Sequence, residues 1–460
     1  MVSTVMLLAV LCAPRAPADA AVVSWVPRVD GVAPLVPFFR AAGTRSNVLR
    51  PDAWAADVHA LIGLNLLDAD ALERSGIDGS QGLTRSQLGD AVISCVTVKD
   101  LKRYRAACDE KLVRQGELID RKEAGLVFHT SQDPLGRVLG AYVVSGKESC
   151  AINGHGHSID KQLAPLAKLL SAPATGPGFS LAAKLPAPLQ LVAPGGRTPG
   201  VLALNANGLS LQADLRVKNA ALARLAGAGE SPLGRFTANG LGVIRARVAA
   251  SEVPALALQL TRELPGATAL VPVAKALAPL LTGNAAVLLS HAKVSGGLRS
   301  KEARFFALRF ALVAEVSDAA AAKAVVSGLD ARSLSFAQGT LTVGVSDRFV
   351  VVANDDEVRQ RAIAALPTAA GKQAHGVEFS FDPKLVARAL QQVPLWEAVQ
   401  SAELAGFVAA SAELGPLLLA SSRITGWLDS LAGATHAGRL TWELDPAAFT
   451  APPAPAPAAP

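Results

Sequence analysis

The spacing of apolar residues along the chain predicts alternating strands and helices. Residues 91–98 and Phe305–Val316 are rich in Val, Ile, Phe and Leu, which is typical of strands. An aspartate follows each segment, Asp100 in one case and Asp318 in the other, and a short carboxylate suits a helix N-cap. We therefore expect each strand to lead directly into a helix.

Hairpins are predicted where two apolar runs flank a turn sequence. Ala141–Ser145 and Ser149–Asn153 flank a Gly-Lys-Glu turn. Val201–Val217 contains Asn207-Gly208, a strong signal for a tight hairpin turn. These antiparallel pairs, combined with the predicted helices, indicate a sheet covered by helices.

The order of these patterns indicates that one unit occurs twice. Three pairs of segments match in the same order: Val96–Asp100 with Ala314–Asp318, Ser149–Asn153 with Val350–Asn354, and Phe179–Leu185 with Phe379–Leu385. We therefore predict an α+β fold of two pseudo-repeats, each a largely antiparallel sheet with helices packed on one face.

The predicted domains follow from these repeats and from local composition. They are a signal peptide at residues 1–20, a first α+β repeat at 21–226 with an internal linker at 171–178, a second α+β repeat at 232–446, and a disordered Pro/Ala-rich tail at 447–460. The junction between the repeats is expected near Gly227–Pro232.

The N-terminus has the pattern of an export signal. Val5–Ala13 is a short apolar core, and Ala18–Ala20 fits a small-x-small cleavage site. We expect cleavage after Ala20 and a periplasmic or secreted protein. A lipoprotein is less favoured, because Leu11 stands where a lipid-modified Cys12 would need a small residue.

Composition narrows the class of protein further. Of 460 residues, 50% are hydrophobic and 18% are charged, so a sizeable core is expected. No apolar run reaches the roughly 18 residues of a membrane-spanning helix. The net charge is only +6, and acids interleave with the bases of Lys99–Lys122, which we interpret as a solvated helix face. We expect neither a transmembrane helix nor nucleic-acid binding.

Three cysteines, Cys95, Cys108 and Cys150, remain after removal of the signal. The matching segments place each of them where the other repeat has valine, which predicts buried, apolar positions. Export permits a disulfide between two of them, and the sequence leaves open whether one forms.

One histidine cluster could hold a metal ion. His155 and His157, with Cys150 and Asp160, are weak candidate ligands for zinc or copper. The matching loop has Asp355–Glu357, which suits a helix N-terminus. We therefore assign no metal, cofactor or catalytic residue, and keep a metal-dependent or other hydrolase using His155 and His157 as an alternative.

An apolar region near the C-terminus has two interpretations. Ile424, Trp427, Leu428 and Leu431 are spaced as i, i+3, i+4 and i+7, which predicts a helix. With the apolar residues of 404–419, this helix would close the second core, or it would form a groove for an apolar ligand or partner.

Turn and cap residues of the first half resemble a known group of proteins. They are Gly76-Ile77-Asp78, Gly82-Leu83-Thr84, Gly89-Asp90 and Val98-Lys99-Asp100. The pattern resembles the first half of an uncharacterised family of exported bacterial proteins, whose domain of unknown function is built from sheet-and-helix repeats. The resemblance implies an extracytoplasmic α+β protein and carries no catalytic residues.

These observations predict a non-catalytic exported protein that binds or scaffolds in the bacterial cell envelope. Its partner would be an envelope protein or an apolar ligand. The alternatives are the hydrolase described above and a carrier of apolar ligands.

Overall fold

A computed structural model describes most of the chain. It covers residues 23–46, 61, 69–88, 90–171, 177–193, 198–219, 225–249, 252, 270–295, 305–329, 335–336, 339–391, 412–432 and 434–450. The predicted signal peptide at 1–20 lies outside these residues. The described chain divides into two compact units, a first unit that ends at Asn219 and a second unit that begins after it.

The first unit contains both helices and strands. Its strands are β1 (Val23–Val26), β2 (Leu83–Leu88), β3 (Ala91–Thr97), β4 (Glu117–Glu123), β5 (Leu126–Gln132), β6 (Val138–Ser145), β7 (Glu148–Asn153), β8 (Leu189–Ala193), β9 (Gly200–Asn207) and β10 (Ser210–Lys218). Its α-helices are α1 (Val36–Gly43), α2 (Ala69–Arg74), α3 (Leu101–Val113), α4 (Leu163–Ser171) and α5 (Pro177–Ala182), with 3₁₀ turns at Val29–Leu35 and Asp160–Gln162.

Within the described part of the first unit, the strands form an antiparallel sheet in the order β4-β5-β6-β7-β3-β2-β1-β8-β9-β10. The predicted hairpin around Asn207-Gly208 is confirmed as the β9–β10 pair. Gly208 has a φ of 57°, the left-handed conformation that glycine adopts at low cost.

The second unit has the same mixture of elements. Its strands are β11 (Gly229–Ser231), β12 (Gly242–Arg247), β13 (Leu281–Ser295), β14 (Phe305–Val316), β15 (Ser335–Phe336), β16 (Gly339–Thr340), β17 (Thr342–Ser346), β18 (Phe349–Ala353), β19 (Gly371–Gln373), β20 (Val377–Phe381), β21 (Ser421–Ser430) and β22 (Thr435–Leu444). Its helices are α6 (Leu270–Leu277), α7 (Ala319–Ser327), α8 (Asp356–Ala364), α9 (Pro383–Gln391), α10 (412–419) and α11 (Ala447–Thr450), with a 3₁₀ turn at Ala278–Leu280.

The described strands of the second unit form an antiparallel sheet in the order β17-β18-β14-β13-β12-β20-β21-β22. Two short ladders, β11–β19 and β15–β16, form separate two-stranded sheets. The predicted junction at Gly227–Pro232 contains β11, whose pairing with β19 ties it to the second unit. The α+β class and the antiparallel character predicted from the sequence are confirmed.

The predicted N-caps are also confirmed. The Asp100 carboxylate accepts hydrogen bonds from the first-turn amides of α3, and the Asp318 carboxylate does the same for α7. Asp355 caps α8 in this way, as its position in the sequence predicted. Each cap satisfies backbone N–H groups that have no partner inside the helix.

Helices cover both faces of the first sheet, so the prediction that they pack on one face is wrong. The Ser149 hydroxyl of β7 donates a hydrogen bond to the Tyr104 hydroxyl of α3 at 2.9 Å. The next residue, Cys150, belongs to a buried cluster with Leu163 and Leu166 of α4. Because successive strand residues point to opposite faces, α3 and α4 lie on opposite sides of the sheet.

The second sheet is covered in the same way. Val350 of β18 shares a buried cluster with Ala322 of α7, whereas the next residue, Val351, shares one with Val358 and Ala362 of α8. The placement of helices on both faces could not be predicted from the sequence. An apolar stripe shows that a helix packs on a sheet, but it does not show on which face.

One pair of matched segments differs in secondary structure. Phe179–Leu185 begins inside helix α5, whereas Phe379–Leu385 begins in strand β20. Pro177 opens α5, where a missing N–H costs nothing and the fixed φ suits a first helical position. The similarity of the residue letters therefore does not reflect equivalent positions.

The helix predicted from Ile424 to Leu431 is wrong, because these residues begin in strand β21. β22 pairs along β21 from Ser421 to Ser430, and β20 pairs with Ile424–Leu428 on the other side of the strand. Pairing on both edges satisfies the strand backbone, and this long-range constraint overrides a local helical spacing.

Helical residues occur in both the predicted linker and the predicted disordered tail. Residues 172–176 of the predicted linker lie outside the described residues, but Pro177-Gly178 opens α5. The predicted disordered tail starts with α11, and the Asp445 carboxylate accepts a hydrogen bond from the Ala447 amide at 3.1 Å. Among the described residues, no helix has the length and apolarity to cross a membrane.

A disulfide joins two neighbouring strands of the first sheet. Cys95 of β3 lies opposite Cys150 of β7, with their Cα atoms 4.1 Å apart. Cys108 is a free, buried thiol on α3. The sheet separates it from the disulfide, so the three cysteines do not share one core. In the second sheet, β14 and β18 place Val313 opposite Val351.

We expect reduction of this disulfide to lower the free energy of unfolding by about 2 to 4 kcal/mol, because the bond restricts the unfolded chain. The variant C95V/C150V should fold, since the second sheet accommodates a Val–Val pair between two of its strands. Its unfolding midpoint in urea, followed by circular dichroism, should not change with reductant.

The matched control is C108V, which removes a thiol but leaves the disulfide in place. It should remain as sensitive to reductant as the unmodified chain. A wild-type unfolding curve that is identical with and without reductant would contradict the disulfide.

Candidate functional site

The two candidate histidines lie on an exposed turn between β7 and α4. His155 has a φ of 49° and donates its backbone N–H to the Asn153 side-chain oxygen at 2.9 Å. A Cβ on Gly154 would stand 2.1 Å from the His157 carbonyl oxygen, so the turn requires glycine there. Gly154 is therefore needed for the close approach of the backbone within this turn.

The other two candidate ligands already have partners. The Cys150 sulfur is bound to Cys95. The Asp160 carboxylate accepts hydrogen bonds from the Ser158 hydroxyl and the Val138 amide and pairs with Arg121 of β4. No group of three or more His, Cys, Asp or Glu in the described part of the chain is arranged to hold a metal ion.

Asp160 anchors the edge strand β4. Burial alone would raise the pKa of Asp160, but hydrogen bonds from Ser158, Arg121 and Val138 outweigh it and hold this pKa below its usual range. The carboxylate therefore stays ionised at neutral pH and holds Arg121. Its role is structural.

The apolar region near the C-terminus, expected to close the second core or to form a groove, is described only in part. Leu404, Phe407 and Val408 lie outside the described residues. Leu414 and Leu417 are buried in α10. The other residues of this region begin in β21, whose two edges pair with β20 and β22.

A polar layer lies between α3 and the first sheet. We call it the α3 layer, and its buried members are Ser94, Tyr104, Cys108, Tyr142 and Ser149. The corresponding layer between α7 and the second sheet is apolar and contains Val316, Ala322, Leu341, Val350 and Val352. Apolar packing is therefore sufficient for this arrangement of helix and sheet, and the polarity of the α3 layer needs a different explanation.

The α3 layer continues to the edge of the sheet as one row of side chains. Strand register places Asp120 of β4 opposite His129 of β5, and His129 opposite Tyr142 of β6. The His129 Nδ1 lies 2.8 Å from an Asp120 carboxylate oxygen. The His129 ring stacks on the Tyr142 ring at 4.7 Å, and the Tyr142 hydroxyl donates to the Asp109 carboxylate of α3 at 2.8 Å.

These side chains border a cleft of about 480 Å³, a size typical of small-ligand sites. We call it the cleft, and its lining residues are Asp109, Leu118, Ile119, Asp120, His129 and Thr130. The Thr130 hydroxyl donates to the Ile119 carbonyl at 2.6 Å, so it is not paired with His129. On the α3 side of the sheet the cleft thus combines two carboxylates, one imidazole and the aliphatic side chain of Leu118, whereas the side chains of Ile119 and Thr130 alternate to the other face.

The groups behind the cleft stay protonated at neutral pH. Burial raises the pKa of Tyr142 well above its usual range, and the Asp109 carboxylate raises it further. Burial also raises the pKa of Tyr104, and it raises the pKa of the Cys108 thiol to about 12. Tyr142 therefore acts as a hydrogen-bond donor, and Asp109 remains an acceptor.

A second polar cluster lies in the second unit. The His375 ring stacks on Trp427 at 4.1 Å, and its Nδ1 lies 2.7 Å from an Asp429 carboxylate oxygen. The other Asp429 oxygen accepts from the Gly376 amide at 2.6 Å. Both oxygens of Asp429 are therefore engaged in joining neighbouring strands, which makes this cluster a weaker candidate than the cleft.

The sequence interpretation missed the cleft because it treated Lys99–Lys122 as one solvated helix face. The structure ends α3 at Val113 and starts β4 at Glu117, so Asp109 and Asp120 lie on different elements. One signal was available. Tyr104, Cys108 and Leu112 recur every four residues and form a buried stripe on an otherwise charged helix.

Comparison of the chain with protein-family models, with curated proteins and with solved structures finds no match. The chemistry of the cleft is therefore inferred from its own residues and their geometry.

We expect Cys108 to resist alkylation in the folded protein, because a thiol of pKa about 12 is almost entirely protonated at pH 8 and is buried. The measurement is mass-spectrometric counting of iodoacetamide adducts on a C12S chain without reductant. It should find no adduct in the native protein and one adduct in denaturant.

An exposed cysteine introduced at Ser80 provides the control and should react within minutes under native conditions. Rapid native alkylation of Cys108 would show that the α3 layer is open to solvent. Three adducts in denaturant without reductant would show that Cys95 and Cys150 are not bonded.

Proposed function

We propose that this chain is a non-catalytic, exported protein of the bacterial cell envelope that binds a ligand or partner through the cleft of its first unit. The observation that carries the proposal is the convergence of Asp109, Asp120 and His129 on one cleft beside the polar α3 layer. Neighbouring elements hold each of these side chains in place.

Binding fits the cleft better than catalysis. The His129 imidazole bonds to Asp120, and the Thr130 hydroxyl bonds to a backbone carbonyl, so the lining has no paired nucleophile and base. The hydrolase alternative uses His155 and His157, and the disulfide removes Cys150 from the candidate metal ligands beside them. A preformed polar cleft without a nucleophile is what a recognition site needs.

The disulfide supports the expected compartment. Cys95 and Cys150 are bonded, and structural disulfides persist mainly in periplasmic, secreted and other oxidising environments. This agrees with the export signal expected at residues 1–20, with a periplasmic or secreted location, and with the extracytoplasmic family that the first half resembles.

We propose in addition that the two units are copies of one ancestral unit. In support, the two antiparallel sheets have similar strand orders when their strands are numbered along the chain. The orders compared are β6-β7-β3-β2-β1-β8-β9-β10 in the first unit and β17-β18-β14-β13-β12-β20-β21-β22 in the second. In each, an Asp-capped helix follows a central strand, α3 after β3 and α7 after β14. On this proposal the α3 layer is a later specialisation of the first copy.

Site-specific photo-crosslinking in the native envelope tests the function. Benzoylphenylalanine placed at Leu118, which is 40% exposed in the cleft, should give a discrete adduct. The same probe at Leu135, which is 78% exposed on the turn between β5 and β6, should not give that adduct.

A third chain carries the probe at Leu118 together with D120N. Its adduct should be at least several-fold weaker if the carboxylate contributes to recognition. Adducts of equal strength at positions 118 and 135, or none at 118, would contradict a binding function for the cleft.

A further inference from the structure

Three asparagines of the chain, Asn153, Asn207 and Asn239, are each followed by glycine. In an Asn-Gly pair the backbone nitrogen of glycine can attack the side-chain amide carbon of asparagine, because glycine has no Cβ to hinder the approach. Two of the three sites have the same tetrapeptide, Ala-Asn-Gly-Leu, at residues 206–209 and 238–241. Any difference in reactivity between these two sites in the folded protein therefore comes from their structural surroundings.

The surroundings of Asn153 oppose this reaction. Its side-chain oxygen accepts a hydrogen bond from the His155 amide at 2.9 Å, which holds the carboxamide in place. The attacking nitrogen would be that of Gly154, but Gly154 is buried and its N–H donates to the Leu139 carbonyl at 2.9 Å. Both reacting groups are therefore engaged, and releasing them would cost the hydrogen bonds that hold this turn.

Asn239 is exposed, but the glycine that follows it packs closely against β13. A Cβ on Gly240 would stand 2.5 Å from the Leu289 carbonyl oxygen and 3.1 Å from the Ser290 Cα. The next amide, that of Leu241, donates to the Ser290 carbonyl at 3.1 Å. Ring closure requires the peptide group between asparagine and glycine to rotate, and these contacts with β13 oppose the rotation.

Asn207 is the last residue of β9, at the tip of the β9–β10 hairpin. Asn207 and Gly208 are both exposed, and within the described part of the chain neither the Asn207 side chain nor the Gly208 N–H has a hydrogen-bond partner. A Cβ on Gly208 would meet no atom within 4 Å. The Asn207–Ser210 pair closes the hairpin, and the last pair of a ladder opens at lower cost than packed backbone does.

We propose that Asn207 is a site of spontaneous deamidation in the folded protein and that it converts faster than Asn239 and Asn153. The Gly208 nitrogen loses its proton to solvent base and bonds to the Asn207 Cγ. The Cγ–Nδ2 bond then breaks, and the side-chain nitrogen takes up a proton and leaves as ammonia. Water opens the resulting cyclic imide at either of its two carbonyl carbons, which gives aspartate or isoaspartate without any oxidant or reductant.

Both products change the tip of the β9–β10 hairpin. Each adds a carboxylate that is ionised at neutral pH. Isoaspartate also carries the main chain through the side-chain carbons, which inserts an extra methylene before Gly208. We expect the Asn207–Ser210 pair to be lost in that form. Asn207 does not line the cleft, so this inference does not depend on the proposed function.

Peptide mapping of the full chain by mass spectrometry, during incubation at mildly alkaline pH, tests the inference. Circular dichroism verifies that the chain stays folded throughout. The mass difference between an amide and a carboxyl group marks each converted asparagine, and fragmentation separates aspartate from isoaspartate. We expect conversion at Asn207 to be at least several-fold faster than at Asn239, and conversion at Asn153 to be the slowest.

The denatured chain and one variant are the controls. In denaturant the two Ala-Asn-Gly-Leu segments should convert at rates within about twofold of each other, because their immediate neighbours are the same and the folded contacts are lost. The variant N207Q must close a larger ring, which forms far more slowly. It should abolish the conversion at position 207 and leave that at Asn239 unchanged.

Equal rates at Asn207 and Asn239 in the folded chain would overturn the inference. Faster conversion at Asn239 or at Asn153 would do the same. The inference would also be wrong if Asn207 stayed intact in the folded chain over a period in which the denatured chain converts it.

Discussion

The alternation of side chains across the strands is the constraint on which the rest of the first unit depends. Ser149 faces α3, and the next residue, Cys150, faces α4. This places the disulfide in an apolar core on one side and leaves the other side to the α3 layer. Because α3 ends beside the β4–β5 hairpin, the polar layer opens at the sheet edge, where Asp109, Asp120 and His129 line the cleft.

The polarity of the α3 layer is costly in stability and therefore informative. A buried hydroxyl gains only about 1 kcal/mol from its hydrogen bond, and losing the partner costs about 1 to 3 kcal/mol. The layer under α7 packs a helix on a sheet in the same way with Ala322, Val350 and Val352, which have no side-chain hydrogen bonds to lose. The Tyr142–Asp109 bond instead fixes a carboxylate at the cleft. We interpret the α3 layer as a rigid support for recognition.

Short-range features were predictable from the sequence, and long-range ones were not. Asp100 and Asp318 are N-caps because capping depends on residues within one turn. The segment from Ile424 to Leu431 was misassigned because strand pairing with β20 and β22 overrides local spacing. The cleft was missed for a related reason. Asp109 and Asp120 line the same cleft only because α3 and β4 pack together. The order of charged residues along the chain does not predict that packing.

The central claim is that the Asp120 carboxylate holds the His129 ring in place at the cleft through Nδ1. Nitrogen-15 NMR of the imidazole side chains at mildly alkaline pH tests it most directly, with the His129 signals assigned through H129Q. The account predicts a proton on the His129 Nδ1 that faces Asp120, and a loss of the preference for Nδ1 over Nε2 in D120N. A ring protonated at Nε2, or a tautomer unaffected by D120N, would contradict it.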